Sequence, residues 1–140
     1  MEKTLQDGDR LIIEKISPRM GNIKRGDIVT IDDPIKLSTD TRPIIKRVIG
    51  IEGDHVQIRD GKVFVNGEEL KEDYINGDTT YEINEQYSDV IVEEGYIYVL
   101  GDNRLLGMSK DSRTIGTASM EYVTGKALLR FYPFNKFRLF

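Results

Sequence analysis

Short runs of β-branched and apolar residues, each next to a glycine-containing turn, constrain the fold of this chain more than any other feature. The runs Arg10–Ile16 and Asp27–Ile31 both begin beside a Gly-Asp dipeptide. The runs 56–59 and 62–65 are separated only by Asp60-Gly61, a strong two-residue signal for a hairpin turn. Runs of this length and composition between turn residues predict strands rather than helices.

Three further strands are predicted in the middle and at the end of the chain. They cover residues 44–51, which follow Pro43, residues 96–100, and residues near 126–131. Residues 117–122 are predicted to form one or two helical turns. The fold class that follows is mainly β: an all-β core of short antiparallel strands with a small inserted lobe and one short helix.

Charge separates one stretch of the chain from the rest. Residues 68–94 contain ten acidic residues and one basic residue, and their strand patterning is weak. We predict that they form an acidic lobe inserted into a single domain of residues 1–140. The core of that domain would comprise residues 1–67 and 95–140, a length sufficient for a substantial hydrophobic core.

Composition excludes several classes of site. The chain has no cysteine, which rules out disulfides, thiolate zinc sites and cysteine nucleophiles. A single histidine, His55, cannot build a histidine metal cluster, and its place after a turn argues against a Ser-His-Asp triad, so no metal or other cofactor is expected. The net charge of -4 and the pI of 5.1 argue against a nucleic-acid partner. No run approaches the ~18 apolar residues of a membrane span.

Lys46 occupies an unusual position for a charged side chain. It lies inside the apolar run 44–51, where Ile44, Lys46 and Val48 share one face of a strand. Burial would remove its ammonium group from water and lower its pKa from the usual ~10.4. A lysine in this state can act as a general base, and the group it usually deprotonates is a serine. Alternatively, the stem could cover the apolar face while the ammonium group reaches water.

A second polar segment, Gly101–Arg113, brings acidic and basic residues close to serine hydroxyls. Together with Met1–Asp9, Arg25–Val29 and Lys46–Asp54, it resembles the sequence boxes of type I signal peptidases, in particular those of Gram-positive type. The order and approximate spacing of the boxes agree over nearly the whole chain.

The resemblance implies a serine endopeptidase that cleaves signal peptides from exported precursors after Ala-x-Ala-like sites, using a Ser-Lys dyad. Lys46 would be the general base, and Ser109 would orient its amine. The substrate would bind as an added strand, with its small side chains in shallow pockets. Pocket residues by resemblance are Met1, Leu5, Ile44 and Ile45. Arg47 would pair with Asp102, and Asp111 with Arg113, as structural support.

The same resemblance places the enzyme at the cell membrane, with its catalytic domain on the extracytoplasmic face. Its partners would be signal peptides and the lipid surface. The tail 128–140 interleaves aromatic and basic residues, which suits a membrane interface. We expect Phe131 to fill the core, and Phe137 and Phe140 to contact lipid.

The chain departs from the family pattern at three places. The nucleophilic serine and the membrane anchor would lie directly upstream of Met1, so we expect the chain as written to be inactive. Lys3 stands where the family has proline. Four residues, 105–108, precede Ser109 where the family usually has two.

Three alternatives remain open from the sequence. The chain could be a catalytically silent signal-peptidase-like scaffold that assists assembly of surface proteins. It could be a self-cleaving repressor, although helices for binding DNA are lacking. Ser17 could serve as the nucleophile, although it lies where the family has only a connecting loop.

Overall fold

Antiparallel pairing organises the strands into two sheets. The computed structural model describes residue 1, residues 3–32 and residues 42–140. The strands are β1 (Arg10–Glu14), β2 (Ile28–Ile31), β3 (Ile44–Gly50), β4 (His55–Arg59), β5 (Lys62–Val65), β6 (Glu68–Glu69), β7 (Asp89–Ile91), β8 (Tyr96–Leu100), β9 (Ala118–Ser119), β10 (Val123–Tyr132) and β11 (Arg138–Leu139). The mainly β fold predicted from the sequence is confirmed.

The larger sheet has the strand order β1-β10-β2-β3-β8-β9, with β11 also paired to β10. The long strand β10 therefore joins the N-terminal and C-terminal parts of the chain. In the centre of the sheet, β3 lies between β2 and β8, with Lys46 opposite Val29 and Arg47 opposite Leu100. This central position surrounds Lys46 with neighbouring strands.

The smaller sheet has the order β6-β5-β4-β7. Asp60 and Gly61 join β4 to β5 with φ angles of 53° and 74°, the left-handed pair that a tight hairpin turn requires. The acidic stretch 68–94 contributes the two edge strands, β6 and β7, and so pairs with this hairpin.

Alternate residues of β3 pack into different parts of the core. Val48 belongs to a buried cluster with Val29 and Val99, whereas Ile49 belongs to a second cluster with Val56. A third, smaller cluster is formed by Leu5, Ile28 and Ala127, with further apolar side chains packed against it. The strand carrying Lys46 is thus held by apolar contacts on both faces.

The fold class is as predicted, although the described residues contain two short α-helices where one was expected. The helical turns predicted at residues 117–122 are instead β9 followed by a 3-10 turn. Two α-helices of four residues each, α1 (Ile16–Arg19) and α2 (Ser112–Ile115), are present, together with 3-10 turns at Glu85–Tyr87, Met120–Tyr122 and Phe134–Lys136. Helices of one turn are too short to show a helical period in the sequence. Within the described residues, none of the helices has both the length and the hydropathy needed to span a membrane.

Candidate functional site

Lys46 is buried, as its position in an apolar run predicts. Only 9% of its surface is exposed. Burial lowers the pKa of its amine, and the nearby Arg113 lowers it further, while the charges of Asp111 and Asp102 raise it in partial opposition. The net shift favours the neutral amine, the form that can accept a proton.

The predicted pair between Arg47 and Asp102 is present and buried. The guanidinium donates from Nε to Oδ1 at 2.9 Å and from Nη2 to Oδ2 at 2.8 Å. The Thr4 hydroxyl also donates to Oδ2, and Arg47 Nη1 donates to the Gly26 carbonyl at 3.0 Å. Asp102 therefore connects β3, the polar segment and the N-terminal segment.

The second predicted pair, Asp111 with Arg113, is also present and fully buried. Two hydrogen bonds of 2.9 Å join the guanidinium to the carboxylate. Asp111 caps α2 by accepting the Arg113 backbone N–H, and it accepts the Gly101 N–H at 3.1 Å. These bonds tie the start of the polar segment to its end, beside Lys46.

Ser109 does not make the hydrogen bond to Lys46 that we expected. Its hydroxyl is buried and has no hydrogen-bond partner among the described residues. It lies against Gly101, where a Cβ would come within 2.1 Å of the hydroxyl oxygen. The preceding residues form a turn closed by the Met108 N–H and the Leu105 carbonyl, which delivers Ser109 to this position. Leaving a buried hydroxyl without a partner costs ~1–3 kcal/mol of stability. The Ser109 hydroxyl would therefore gain by forming a hydrogen bond with a group brought next to it.

Three of the four predicted pocket residues lie together. Met1 and Ile45 pack against the cluster that contains Leu5. The Met1 sulfur accepts the Asp102 N–H at 3.4 Å, so this cluster adjoins the polar segment. A cavity of about 670 Å³ opens there, lined by Met1, Lys3, Leu5, Gln6, Asp7 and Asn76. Ile44 packs instead against the cluster of Val48, on the other face of the sheet.

Residues of the acidic stretch contact the polar segment in a way that the sequence did not indicate. Glu72 accepts hydrogen bonds of 3.0 and 2.5 Å from Arg104, whose side chain is completely buried. The ring of Tyr74 stacks on Arg47, with its centroid 3.9 Å from the guanidinium carbon. Glu72 and Tyr74 lie among many acidic residues with weak patterning, so no sequence signal separates them from solvated neighbours.

Ser17 and His55 are engaged elsewhere. Ser17 lies in α1, where its N–H donates to the Glu14 carboxylate at 2.9 Å. His55 lies in β4 and contacts Asp89 of β7 at 2.5 Å. Over residues 1, 3–32 and 42–140, no three histidine or carboxylate side chains are grouped as a metal site requires.

The aromatic tail is only partly as expected. Phe137 is exposed, whereas Phe140 is half-buried and packs against the cluster that contains Leu5. The β10–β11 pairing turns the end of the chain back onto the sheet and explains the difference. Lipid contact by these two residues stays a prediction. Phe131 is half-buried.

Comparisons with known proteins converge on one family. The family described as "Signal peptidase, peptidase S26" matches residues 1–132. The "Probable signal peptidase I-2" of Synechocystis sp. is 44% identical over 135 residues, which cover 95% of this chain and 59% of that protein. The "Signal peptidase I" of Bacillus licheniformis is 36% identical over 145 residues, 99% of this chain and 75% of that protein.

A solved structure agrees. The crystal structure of a signal peptidase I from Enterococcus faecalis matches with a TM-score of 0.58 and 32% sequence identity, covering 74% of this chain and 95% of that one. The chain thus spans somewhat more than half of the Synechocystis relative and three quarters of the Bacillus one.

Proposed function

We propose, from the premise that the chain belongs to the signal peptidase family of peptidases (peptidase S26), that it forms the catalytic domain of a serine endopeptidase that removes signal peptides. The observation that carries the proposal is the burial of Lys46 beside two buried, charge-neutral ion pairs. Each pair joins one positive to one negative group, so together they place no net negative charge near the amine that would keep it protonated.

In the proposed reaction, the base is the neutral amine of Lys46 and the nucleophile is a serine directly preceding Met1. Lys46 takes the serine proton as the hydroxyl oxygen attacks the scissile carbonyl, and it then gives that proton to the leaving amine. The resulting acyl-enzyme is hydrolysed by water, with Lys46 again acting as base. Because protonated Lys46 cannot accept a proton, the rate should rise with pH as the amine deprotonates.

Ser109 is proposed to orient the lysine amine once the nucleophile and substrate are in place. Its support is the buried hydroxyl that has no partner among the described residues. A four-carbon lysine stem samples many rotamers, so a fixed acceptor would keep the amine aimed at the nucleophile. Hydrogen bonds of this kind often tighten only in the reacting complex.

The substrate is proposed to bind at the cavity beside Met1 and Leu5. Two of its lining residues, Met1 and Leu5, form an apolar wall that packs with Ile45, the residue before the base. A wall of this kind favours small apolar side chains such as alanine, and an extended peptide would add main-chain hydrogen bonds. Ile44, which shares a strand face with Lys46, is retained as a candidate for a second pocket.

The test is cleavage of a peptide with Ala-x-Ala before the scissile bond. The protein tested is residues 1–140 with a serine directly preceding Met1, compared with the same protein carrying alanine there. The serine form should cleave and the alanine form should not. Lys46→Ala should lower kcat/KM by about 10²–10⁴-fold, since a positioned general base contributes that much. Lys62→Ala, which removes an exposed lysine from the smaller sheet, is the matched control.

Two outcomes would count against this mechanism. Cleavage that persists at the same rate in the Lys46→Ala protein would exclude the lysine base. A serine form that folds and binds the peptide but never cleaves it would favour the catalytically silent scaffold.

We further propose that the domain works at the membrane surface, on the extracytoplasmic face. Support comes from Phe134 and Phe137, which are 81% and 61% exposed and lie beside the exposed cations Lys136 and Arg138. Rings and cations side by side suit the headgroup region of anionic bilayers. Phe134→Ser with Phe137→Ser should reduce co-sedimentation with phosphatidylglycerol vesicles. Ile91→Ser, which removes an equally exposed apolar side chain from β7, should not, and equal loss in both proteins would refute the assignment.

A further inference from the structure

We propose that Glu72 and Tyr74 of the acidic stretch are positioning residues of the active site, holding Gly101 and Arg47 in the places that the Lys46 environment requires. The inference rests on the proposed function, because positioning has a meaning only if Lys46 is the base. Two chains of contacts carry it.

The first chain runs from Glu72 to the residues beside Lys46. Both oxygens of Glu72 accept hydrogen bonds from Arg104, which also donates to the Thr80 hydroxyl at 2.8 Å. Through Nε, Arg104 donates to the Gly101 carbonyl at 2.7 Å. Gly101 in turn donates its N–H to Asp111. Glu72 is therefore linked through Arg104 and Gly101 to the Asp111 carboxylate.

Gly101 is also the residue against which Ser109 rests. Any Cβ at this position would overlap the Ser109 hydroxyl oxygen, at 2.1 Å. Gly101 and Ser109 are therefore in close contact, and a shift of the Gly101 backbone toward Ser109 would move the Ser109 side chain. Gly101 therefore connects the buried Arg104–Glu72 pair to both Ser109 and Asp111.

The second chain runs from Tyr74 to Asp102. The Tyr74 ring covers the guanidinium of Arg47 at 3.9 Å, and its hydroxyl donates to Glu72 at 3.1 Å. Burial raises the pKa of Tyr74, and the charge of Glu72 raises it further, so the phenol keeps the proton that it donates. A ring stacked on a desolvated guanidinium attracts it through a cation–π interaction and limits the orientations of its plane. That plane sets the two hydrogen bonds from Arg47 to Asp102.

Backbone contacts between the same two segments show that they meet as one unit. The Asn76 N–H donates to the Asp102 carbonyl at 2.7 Å, and the Arg104 N–H donates to the Asn76 carbonyl at 2.9 Å. Asn76 also lines the cavity beside Met1. The acidic stretch therefore touches the polar segment through backbone and side chains, next to the proposed substrate site.

These contacts predict an effect on catalysis rather than on substrate affinity. In a protein with serine before Met1, Glu72→Gln leaves the buried Arg104 charge unmatched and loosens Gly101. We expect kcat to fall by about 10-fold or more with KM changed less than about twofold, since small misplacements near reacting groups cost up to ~10²-fold. Tyr74→Leu should behave similarly, and Tyr74→Phe, which keeps the ring on Arg47, should lose less.

The pH profile separates positioning from a general loss of stability. The charged groups that act on the Lys46 amine are Asp111, Arg113 and Asp102. The charge of Asp111 raises the Lys46 pKa, so loosening Gly101 and the Asp111 carboxylate bonded to it weakens this effect. The unmatched positive charge of Arg104 lowers the Lys46 pKa as well. Glu72→Gln should therefore move the acid limb of kcat/KM to lower pH. Glu69→Gln, which removes the same charge from an exposed pair with Lys62, should leave kcat and the profile unchanged.

A second measurement does not need the nucleophile. In residues 1–140 alone, Glu72→Gln should shift the backbone amide resonances of Gly101, Ser109 and Asp111, whereas Glu69→Gln should not. Circular dichroism establishes whether each variant is folded. If Glu72→Gln does not fold, Tyr74→Leu replaces it, because that change removes both the ring on Arg47 and the hydroxyl bonded to Glu72. The inference is overturned if these amides do not move, or if a folded, active Glu72→Gln protein keeps its kcat and acid limb. If the serine form is inactive while the amides shift, the proposed function fails and the positional coupling stands.

Discussion

Asp102→Ala is expected to cost far more stability than the loss of an ordinary ion pair. The side chains of Arg47 and Asp102 are 8% and 0% exposed, and the carboxylate accepts two hydrogen bonds from Arg47 and one from Thr4. Removing it leaves a buried guanidinium whose remaining partners, among the residues that the structure describes, are the Gly26 carbonyl and the Tyr74 ring. Breaking a buried pair on one side costs about 3–5 kcal/mol, because the remaining charge stays desolvated.

Urea denaturation followed by circular dichroism measures this loss, and hydrogen exchange reports whether residues 101–113 lose protection. The control is Glu69→Ala, which breaks the pair with Lys62, where the side chains are 55% and 49% exposed. Exposed pairs contribute ~0–1 kcal/mol, so the control should change stability little. An Asp102→Ala protein that loses less than ~1 kcal/mol and keeps its protection at 101–113 would refute the role assigned to the pair.

Two further predictions concern groups around the base. Because burial lowers the pKa of Lys46 below the ordinary 10.5, protonating it costs folding free energy at any pH below that value. Lys46→Met should therefore raise the unfolding free energy most at pH values below the folded-state pKa, with the gain shrinking as pH rises toward 10.5; a pH-independent difference in urea unfolding would contradict this. Gly101→Ala should destabilise the protein by ~1–3 kcal/mol, because its Cβ would overlap the Ser109 hydroxyl. Adding Ser109→Gly should recover part of that loss, and strictly additive losses would show that the two residues do not collide.

The elements that the sequence predicted well are those with a local signal. The β-branched runs became β1, β2, β3 and β8, and Asp60-Gly61 formed the expected hairpin turn. Lys46 could be placed in the interior because strand periodicity alone assigns it to the face of Val48. The two ion pairs were predicted from the resemblance to a family, because strand periodicity does not indicate which charged residues pair.

The elements that were missed depend on contacts between distant parts of the chain. Glu72 reaches Arg104 across 32 positions, and its burial follows from where β6 is held rather than from its neighbours in sequence. The position of Ser109 depends on the turn that residues 105–108 adopt, and Phe140 is covered because β11 pairs with β10. Each of these outcomes is decided by tertiary packing, which outweighs local preference.

Titration of the Lys46 side chain by NMR, in residues 1–140 labelled at the lysine ε-carbon and ζ-nitrogen, tests the central claim most directly. Lys46→Arg identifies the resonance. A base desolvated in the centre of the larger sheet should titrate below the ordinary lysine value of 10.5. Titration at or above 10.5 would mean that the amine stays charged near neutral pH and cannot serve as the base of a Ser-Lys dyad.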